Sequence, residues 1–246
     1  MQSPSIHFEN VTLAFNGTPL FEQFSAEMPA GKCTCLLGPS GCGKSTILGL
    51  ISGNTTLKFS GNIHFLPKRD VVPTIGWMAQ KDLLLPWLTV RDNVLLGAKL
   101  RGEVTDKLIK KADGLLDDAG LTGYGASLPA ELSGGMRQRT ALLRTLMEER
   151  SIILMDEPFS ALDALTRMKL QNMSARMTRG RTVLMVTHDP LEALRLADRI
   201  LVLGGKPVQV ISVIDVETRS PRDPQNIEVQ SIYPNLLKQL MSEVSA

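Results

Sequence analysis

The run Gly38-Pro39-Ser40-Gly41-Cys42-Gly43-Lys44-Ser45-Thr46 sets a glycine, four residues, Gly-Lys and then two hydroxyls in order. This is the spacing of a phosphate-binding loop. Glycines let the backbone bend until several N–H groups point into one concavity. A helix that starts there adds the positive end of its dipole. Lys44 then has the reach for outer phosphates, and the Ser45 hydroxyl can ligate Mg²⁺. The flanks agree: an apolar run, residues 32–37, precedes the loop, and a helix-like run follows to about Ile51.

A second acidic segment fits the first. In Ile152-Ile153-Leu154-Met155-Asp156-Glu157 an apolar strand ends in two acids. Such a strand delivers Asp156 to the carboxyl edge of a sheet, where ligands of α/β folds bind. Asp156 suits the shell of a Mg²⁺ ion. Glu157 is placed to polarise a water for attack on a γ-phosphate. An acid at a strand end is otherwise a solvated cap or a salt bridge, so the pairing with the glycine loop carries the reading.

The elements that must hold these groups follow from periodicity. Val11, Leu13 and Phe15 alternate with polar or small residues before an Asn16-Gly17 turn, and a second extended run spans about 20–28. Residues 61–65 and 74–78 also read as short strands. From about residue 90 to 149 the period is helical: Leu108, Ala112, Leu115, Leu116 and Ala119 share one face, with Thr105-Asp106 suited to start that helix and Gly120 to end it. Strands at 151–155, 182–186 and 199–203 then alternate with helices at 163–177 and 190–197. That alternation implies a parallel sheet covered by helices. Residues 208–216 read as a last strand, 220–224 as a loop and 227–245 as a terminal helix.

The segment Leu132-Ser133-Gly134-Gly135-Met136-Arg137-Gln138-Arg139, taken with the two motifs above, resembles the signature of ATP-binding cassette (ABC) proteins. That signature usually reads LSGGQ; here Met136 stands in the glutamine position. The resemblance covers nearly the whole chain. It implies an α/β P-loop NTPase fold with a parallel core sheet, an N-terminal antiparallel β subdomain and an inserted α-helical subdomain at about 81–149. The chain would be one nucleotide-binding domain, 1–246, with a strand-and-helix extension at about 208–246. The resemblance also assigns roles. Phe15 would stack on adenine. Gln80 would contact Mg²⁺ or water and sense a membrane partner. Asp163, in Ser160-Ala161-Leu162-Asp163, would lie at a dimer interface. His188, in Thr187-His188-Asp189, would contact the γ-phosphate. Ser133, Gly134 and Gly135 expose N–H groups at a helix start, and by resemblance they serve ATP held by a second subunit. Two chains would sandwich two ATP molecules head to tail.

The stretch after Gln80 is dense in apolar residues: Leu83, Leu84, Leu85, Trp87 and Leu88. These either pack into the core or form a groove for a short helix of a membrane subunit. No run approaches the ~18 apolar residues of a membrane-spanning helix, and the first residues lack the pattern of a signal peptide. The expectation is an ATPase at the cytoplasmic face of a membrane. Separate integral permease subunits, and indirectly a solute-binding protein, would be its partners.

Lys plus Arg (27) and Asp plus Glu (25) nearly cancel, which argues against nucleic acid bound by bulk charge. The three cysteines, Cys33, Cys35 and Cys42, are clustered and odd in number, so they read as reduced thiols in and beside a strand. Met173 and Met177 read as core. A non-transport ABC ATPase and a monomeric P-loop kinase or GTPase stay open as alternatives. The apolar cluster argues against the first, while Ser133-Gly134-Gly135 and His188 are unexplained by the second. The segments 84–90, 187–194 and 221–224 further resemble importers of nitrate, sulfonates and taurine, and those of the thiamin pyrimidine precursor.

Overall fold

The computed structural model describes residues 3–53, 56–67 and 73–244; Ser245, the expected end of the terminal helix, lies outside them. The chain opens with an antiparallel hairpin of β1 (Ser5–Phe15) and β2 (Thr18–Met28). Asn16 and Gly17 both take positive φ, as a tight two-residue hairpin turn demands. β4 (Ser60–Leu66) pairs antiparallel with the other side of β1, giving a three-stranded sheet in the order β2-β1-β4.

The second sheet contains β3 (Cys33–Leu37), β5 (Ile75–Met78), β6 (Ile152–Asp156), β7 (Thr182–Val186), β8 (Arg199–Gly204) and β9 (Gln209–Asp215). Its order is β5-β6-β7-β3-β8-β9. All neighbours run parallel except β8 and β9. The parallel core expected from βα alternation is closed at one edge by an antiparallel strand, β9, the last strand expected at 208–216. The reason is local: the turn after Gly204, with Gly205 at φ 78, is too short for a crossover.

Alternation along the buried strands builds two cores. Cys35, Leu37, Ile153, Met155, Val183 and Met185 face one layer, while Leu36, Ile152, Leu154, Leu184 and Val186 face the other. The second layer is filled by α1 (Lys44–Ser52), through Ile47 and Leu48, and by Phe21 and Phe24 of the antiparallel sheet. The first is covered by helices that follow in sequence. Between β5 and β6 lie α2 (Val90–Val94), α3 (Leu96–Arg101), α4 (Asp106–Asp118) and α5 (Gly134–Met147). After β6 come α6 (Ala164–Met177), α7 (Pro190–Leu196) and α8 (Ile227–Val244). α4 begins at Thr105, whose hydroxyl accepts from the Leu108 N–H, and buries Ala112 and Leu116 on the expected face. Met173 is core and Met177 packs against it. Among the described residues no helix is long and apolar enough to cross a membrane.

Candidate functional site

Three adjacent parallel strands, β6, β7 and β3, end at one edge, and the residues the sequence singles out for phosphate and metal lie at or just beyond their carboxyl ends. β3 runs into the loop Gly38–Gly43 and so into α1. Gly38 takes φ 155, and a Cβ there would meet the Leu203 carbonyl oxygen at 2.6 Å. Gly43 takes φ 80, and a Cβ there would strike the Phe21 ring at 2.8 Å. Both positions are thereby held to glycine, which lets the loop lie close against β8 and the antiparallel sheet. Pro39, Ser40 and Gly41 form the bend between them, and Lys44, Ser45 and Thr46 make the first turn of the helix. Lys44 Nζ donates to the carbonyls of Gly38 at 2.8 Å and Pro39 at 2.7 Å, so its ammonium sits inside the loop's curve. The Cys42 thiol lies 3.7 Å from that ammonium, and burial raises its pKa.

β6 ends at Asp156, which is buried, and burial pushes its pKa up; a hydrogen bond from the Ser45 hydroxyl opposes that rise. Two hard oxygen donors, one from α1 and one from β6, thus meet beside Lys44. That pair suits Mg²⁺. Glu157 follows in a left-handed conformation, φ 49, with its N–H donating to the Val186 carbonyl at 2.9 Å. This unusual backbone turns the carboxylate away from the sheet. One carboxylate oxygen accepts from Gln80 Nε2 at 3.4 Å, and the other lies 3.5 Å from His188 Nδ1. Gln80 follows β5 and His188 follows β7. Three strand ends therefore bring Gln80, Glu157 and His188 together, as their sequence positions imply.

The remaining expected residues lie elsewhere. Phe15 ends β1 with its ring well exposed. Ser133 caps α5, its hydroxyl accepting from the Met136 N–H at 3.3 Å, and Gly134 and Gly135 form the first turn. Gly134 lines a surface depression of about 410 Å³ with Gln80, Gln138 and Ser160. Asp163 caps α6 through the Thr166 N–H, a bond that lowers its carboxyl pKa.

A family model described as "ABC transporter" matches residues 21–160. An ABC transporter ATP-binding protein of Haemophilus influenzae, otherwise uncharacterized, is 41% identical over 97% of this chain and 99% of its own. The chain belongs to the ABC transporter family. It is an ATP-binding subunit of that family and an ATPase. An aliphatic sulfonates import ATP-binding protein of Burkholderia lata is 41% identical over 86% of this chain and 77% of its own. The dimeric post-hydrolysis structure of the ATP-binding cassette MJ0796, bound to ADP and Pi, superposes with a TM-score of 0.75. It is 28% identical and covers 87% of this chain and 99% of that one.

The ABC fold here also uses residues to which sequence reasoning gave no role. Gln138 is buried in α5. Its amide donates to the Glu157 carbonyl at 3.0 Å and to Ser160 Oγ at 3.2 Å, while its carbonyl accepts from the Ala161 N–H at 2.8 Å. Arg144, two turns on, donates to the Asp82 and Leu83 carbonyls at 2.7 and 2.8 Å. Arg137 reaches Asp82 Oδ2 at 3.1 Å. Asn93, fully buried, donates to three carbonyls, those of Leu85, Leu88 and Thr89, and accepts from the Leu85 N–H. These bonds pin the chain after Gln80. Leu84 is then turned inward, whereas Leu83 and Trp87 are 60% and 71% exposed. The exposure resolves the alternatives for Trp87 against core packing. The available signal was a polar side chain on an apolar stripe: Gln138 precedes Ala141, Leu142 and Thr145 on the buried face of α5.

Proposed function

We propose that this subunit hydrolyses ATP to drive import of a small solute through a separate membrane permease. It works as a head-to-tail pair of identical subunits on the cytoplasmic face. ATP would lie with its adenine on Phe15 and its phosphates in the loop 38–46. Ser45, Asp156 and Gln80 would hold Mg²⁺, which when bound neutralises phosphate charge. Glu157 then orients the attacking water and takes its proton, and His188 steadies both the Glu157 carboxylate and the γ-phosphate. Ser133, Gly134 and Gly135 of one subunit close over the ATP of the other, with Asp163 at that interface. The exposed N–H groups at the start of α5 support this, because one chain already has a complete phosphate cradle of its own.

The observation that carries the transport reading is a continuity of chain. Gln80 touches the Glu157 carboxylate, and a few residues later the backbone held by Arg144 and Asn93 presents Leu83 and Trp87 to solvent. A helix of a permease seated there would bear on the residue that contacts the catalytic acid. The names of relatives make aliphatic sulfonates the first cargo to test; a thiamin pyrimidine precursor, nitrate and taurine follow from the sequence resemblance. The test is co-purification with permease and solute-binding protein, followed by ATPase assays in liposomes across these cargos. Stimulation by one loaded binding protein supports the reading. Full activity with no membrane partner retained, and none stimulating, would overturn it.

A further inference from the structure

The His188 side chain is 66% exposed, and its ring lies 3.5 Å from the Glu157 carboxylate. Keeping an exposed ring at one partner costs conformational freedom, so the segment that carries it must be fixed from elsewhere. The residues on either side of His188 are fixed, and both are tied to α6. On one side, Thr187 is buried. Its hydroxyl accepts from the Asp189 N–H at 3.1 Å and bonds the Glu192 carboxylate, which also accepts from Gln171 Nε2 at 3.0 Å. On the other side, Asp189 divides its two oxygens. Oδ1 caps α7 by accepting from the Leu191 and Glu192 N–H groups at 2.9 and 3.2 Å, and Oδ2 lies 3.6 Å from Arg167 Nη1.

Arg167 and Gln171 are one turn apart on the same side of α6. Arg167 also reaches back along its own chain, where its Nη2 donates to the Leu162 carbonyl at 3.0 Å. One guanidinium thus grips the segment that leads into α6 and the residue that follows His188, a fork that a lysine ammonium does not reproduce. Glu157, Arg167, His188 and Glu192 line one cleft of about 40 Å³. That space takes water but is too small for an organic ligand. The cluster therefore serves the site it adjoins, not a molecule of its own.

We propose that Arg167 is a positioning residue for ATP hydrolysis: it holds the 187–189 segment so that the His188 ring faces Glu157, and it links that segment to residues 160–163. Gln171, through Glu192 and Thr187, braces the same segment from the other side. This rests on the role given to His188 above and adds a path to it. Residues 160–163 lie at the subunit contact of the proposed pair, so a shift there reaches His188 through Arg167 without passing through the nucleotide.

The test measures single-turnover ATP hydrolysis by the full chain, with the subunit in excess. Arg167→Gln should slow it about ten-fold or more, the order expected when a group facing the reaction is slightly misplaced. ATP affinity should stay within about three-fold, because Arg167 acts on the chemical step and not on binding. In a His188→Ala background the same substitution should change the residual rate by less than about two-fold, since a residue that acts through His188 then has nothing to act on. Asp189→Asn keeps the helix cap and removes the charge that faces Arg167. It should slow turnover several-fold, and it decides the matter if Arg167→Gln fails to fold. In ¹⁵N-histidine spectra the ring signals of His188, identified by their loss in His188→Ala, should move with either substitution, while those of His7 and His64 stay in place. An unchanged rate or an unmoved His188 signal in the folded variant would overturn the proposal. So would an equal fall with and without His188, or weaker ATP binding with no slower chemistry. Wild-type turnover in His188→Ala alone is a separate failure, because it removes the role of His188 itself and the positioning role with it.

Discussion

Gln138, on the helix that starts at Ser133, donates its side-chain amide to the main-chain carbonyl of Glu157 at 3.0 Å. The helix that would reach toward a partner's nucleotide is thus tied to the backbone of the acid that would act on this subunit's own. The same amide bonds Ser160 and Ala161, so one buried side chain fixes the turn between Glu157 and the start of α6. Gln138→Leu keeps the volume and removes all three bonds. The Glu157 carbonyl still accepts from Ser160 Oγ at 3.1 Å, and Ser160 and Ala161 are exposed to water, so a net loss of about 1 kcal/mol is expected. Denaturant midpoints measure that loss. ATP turnover should fall more than ten-fold while nucleotide binding stays near normal, and an unchanged turnover would show that the turn holds itself.

Glu157→Gln preserves shape and removes the carboxylate proposed as the general base. General-base catalysis contributes roughly 10²–10⁴-fold, so kcat should drop into that range with ATP still bound. Because Gln80 Nε2 and His188 Nδ1 both face this carboxylate, the neutral amide also removes one charge from the sandwich. Light scattering should then find a dimer with ATP and a monomer without. A variant that stays monomeric in saturating ATP would contradict the paired-subunit reading. In the wild type, the same reading expects specific activity to rise with protein concentration.

Glu192 gives a pH dependence with a definite sign. It is buried at the start of α7, accepts from Gln171 Nε2 at 3.0 Å, and receives a hydrogen bond from Thr187 beside His188. Burial is the main cause that raises its pKa to about 7; Asp189 adds to the rise, and the bonds from Thr187 and Gln171 and the charge of Arg167 oppose it. The folded protein therefore holds this proton more tightly than the unfolded chain. Stability falls as pH rises from the unfolded value of about 4.5 through 7, and the loss is complete above that. The span corresponds to about 3 kcal/mol. Glu192→Gln should flatten this slope: thermal midpoints should match wild type at pH 5 and exceed it at pH 8. Parallel curves for the two proteins would assign the pH dependence elsewhere.

The sequence was most informative where chemistry and periodicity coincide. Glycines at 38 and 43 announce a loop because no other residue fits their φ and surroundings, and Thr105 and Asp163 announce helix starts because their side chains bond the N–H three residues on. Less legible were the bonds between distant segments. Gln138 and Glu157 are 19 residues apart and Arg144 and Leu83 61 apart, so no local period records them. The antiparallel turn of β9 was hidden for a related reason, since a strand's apolar pattern is blind to its direction. Trp87 was ambiguous because an apolar anchor and a core residue are the same residue type until exposure separates them.

Trp87 is the sharpest test of coupling. At 71% exposure its truncation removes little buried area, so Trp87→Ala should change stability by no more than about 0.5 kcal/mol. Leu84, the inward neighbour, should lose about 2–4 kcal/mol on truncation to alanine. ATP binding and basal turnover should survive Trp87→Ala, because the bonds from Arg144 and Asn93 that hold the segment involve main-chain atoms and not the indole. Capture by the permease should weaken at least ten-fold, as expected when an aromatic anchor contributes about 2 kcal/mol or more to an interface. The measurement pairs a pull-down on solubilised permease with the thermal midpoint of the isolated subunit. A midpoint lowered by several degrees, or lost ATP binding, would return Trp87 to the core; unaltered capture would move the docking surface away from Leu83 and Trp87.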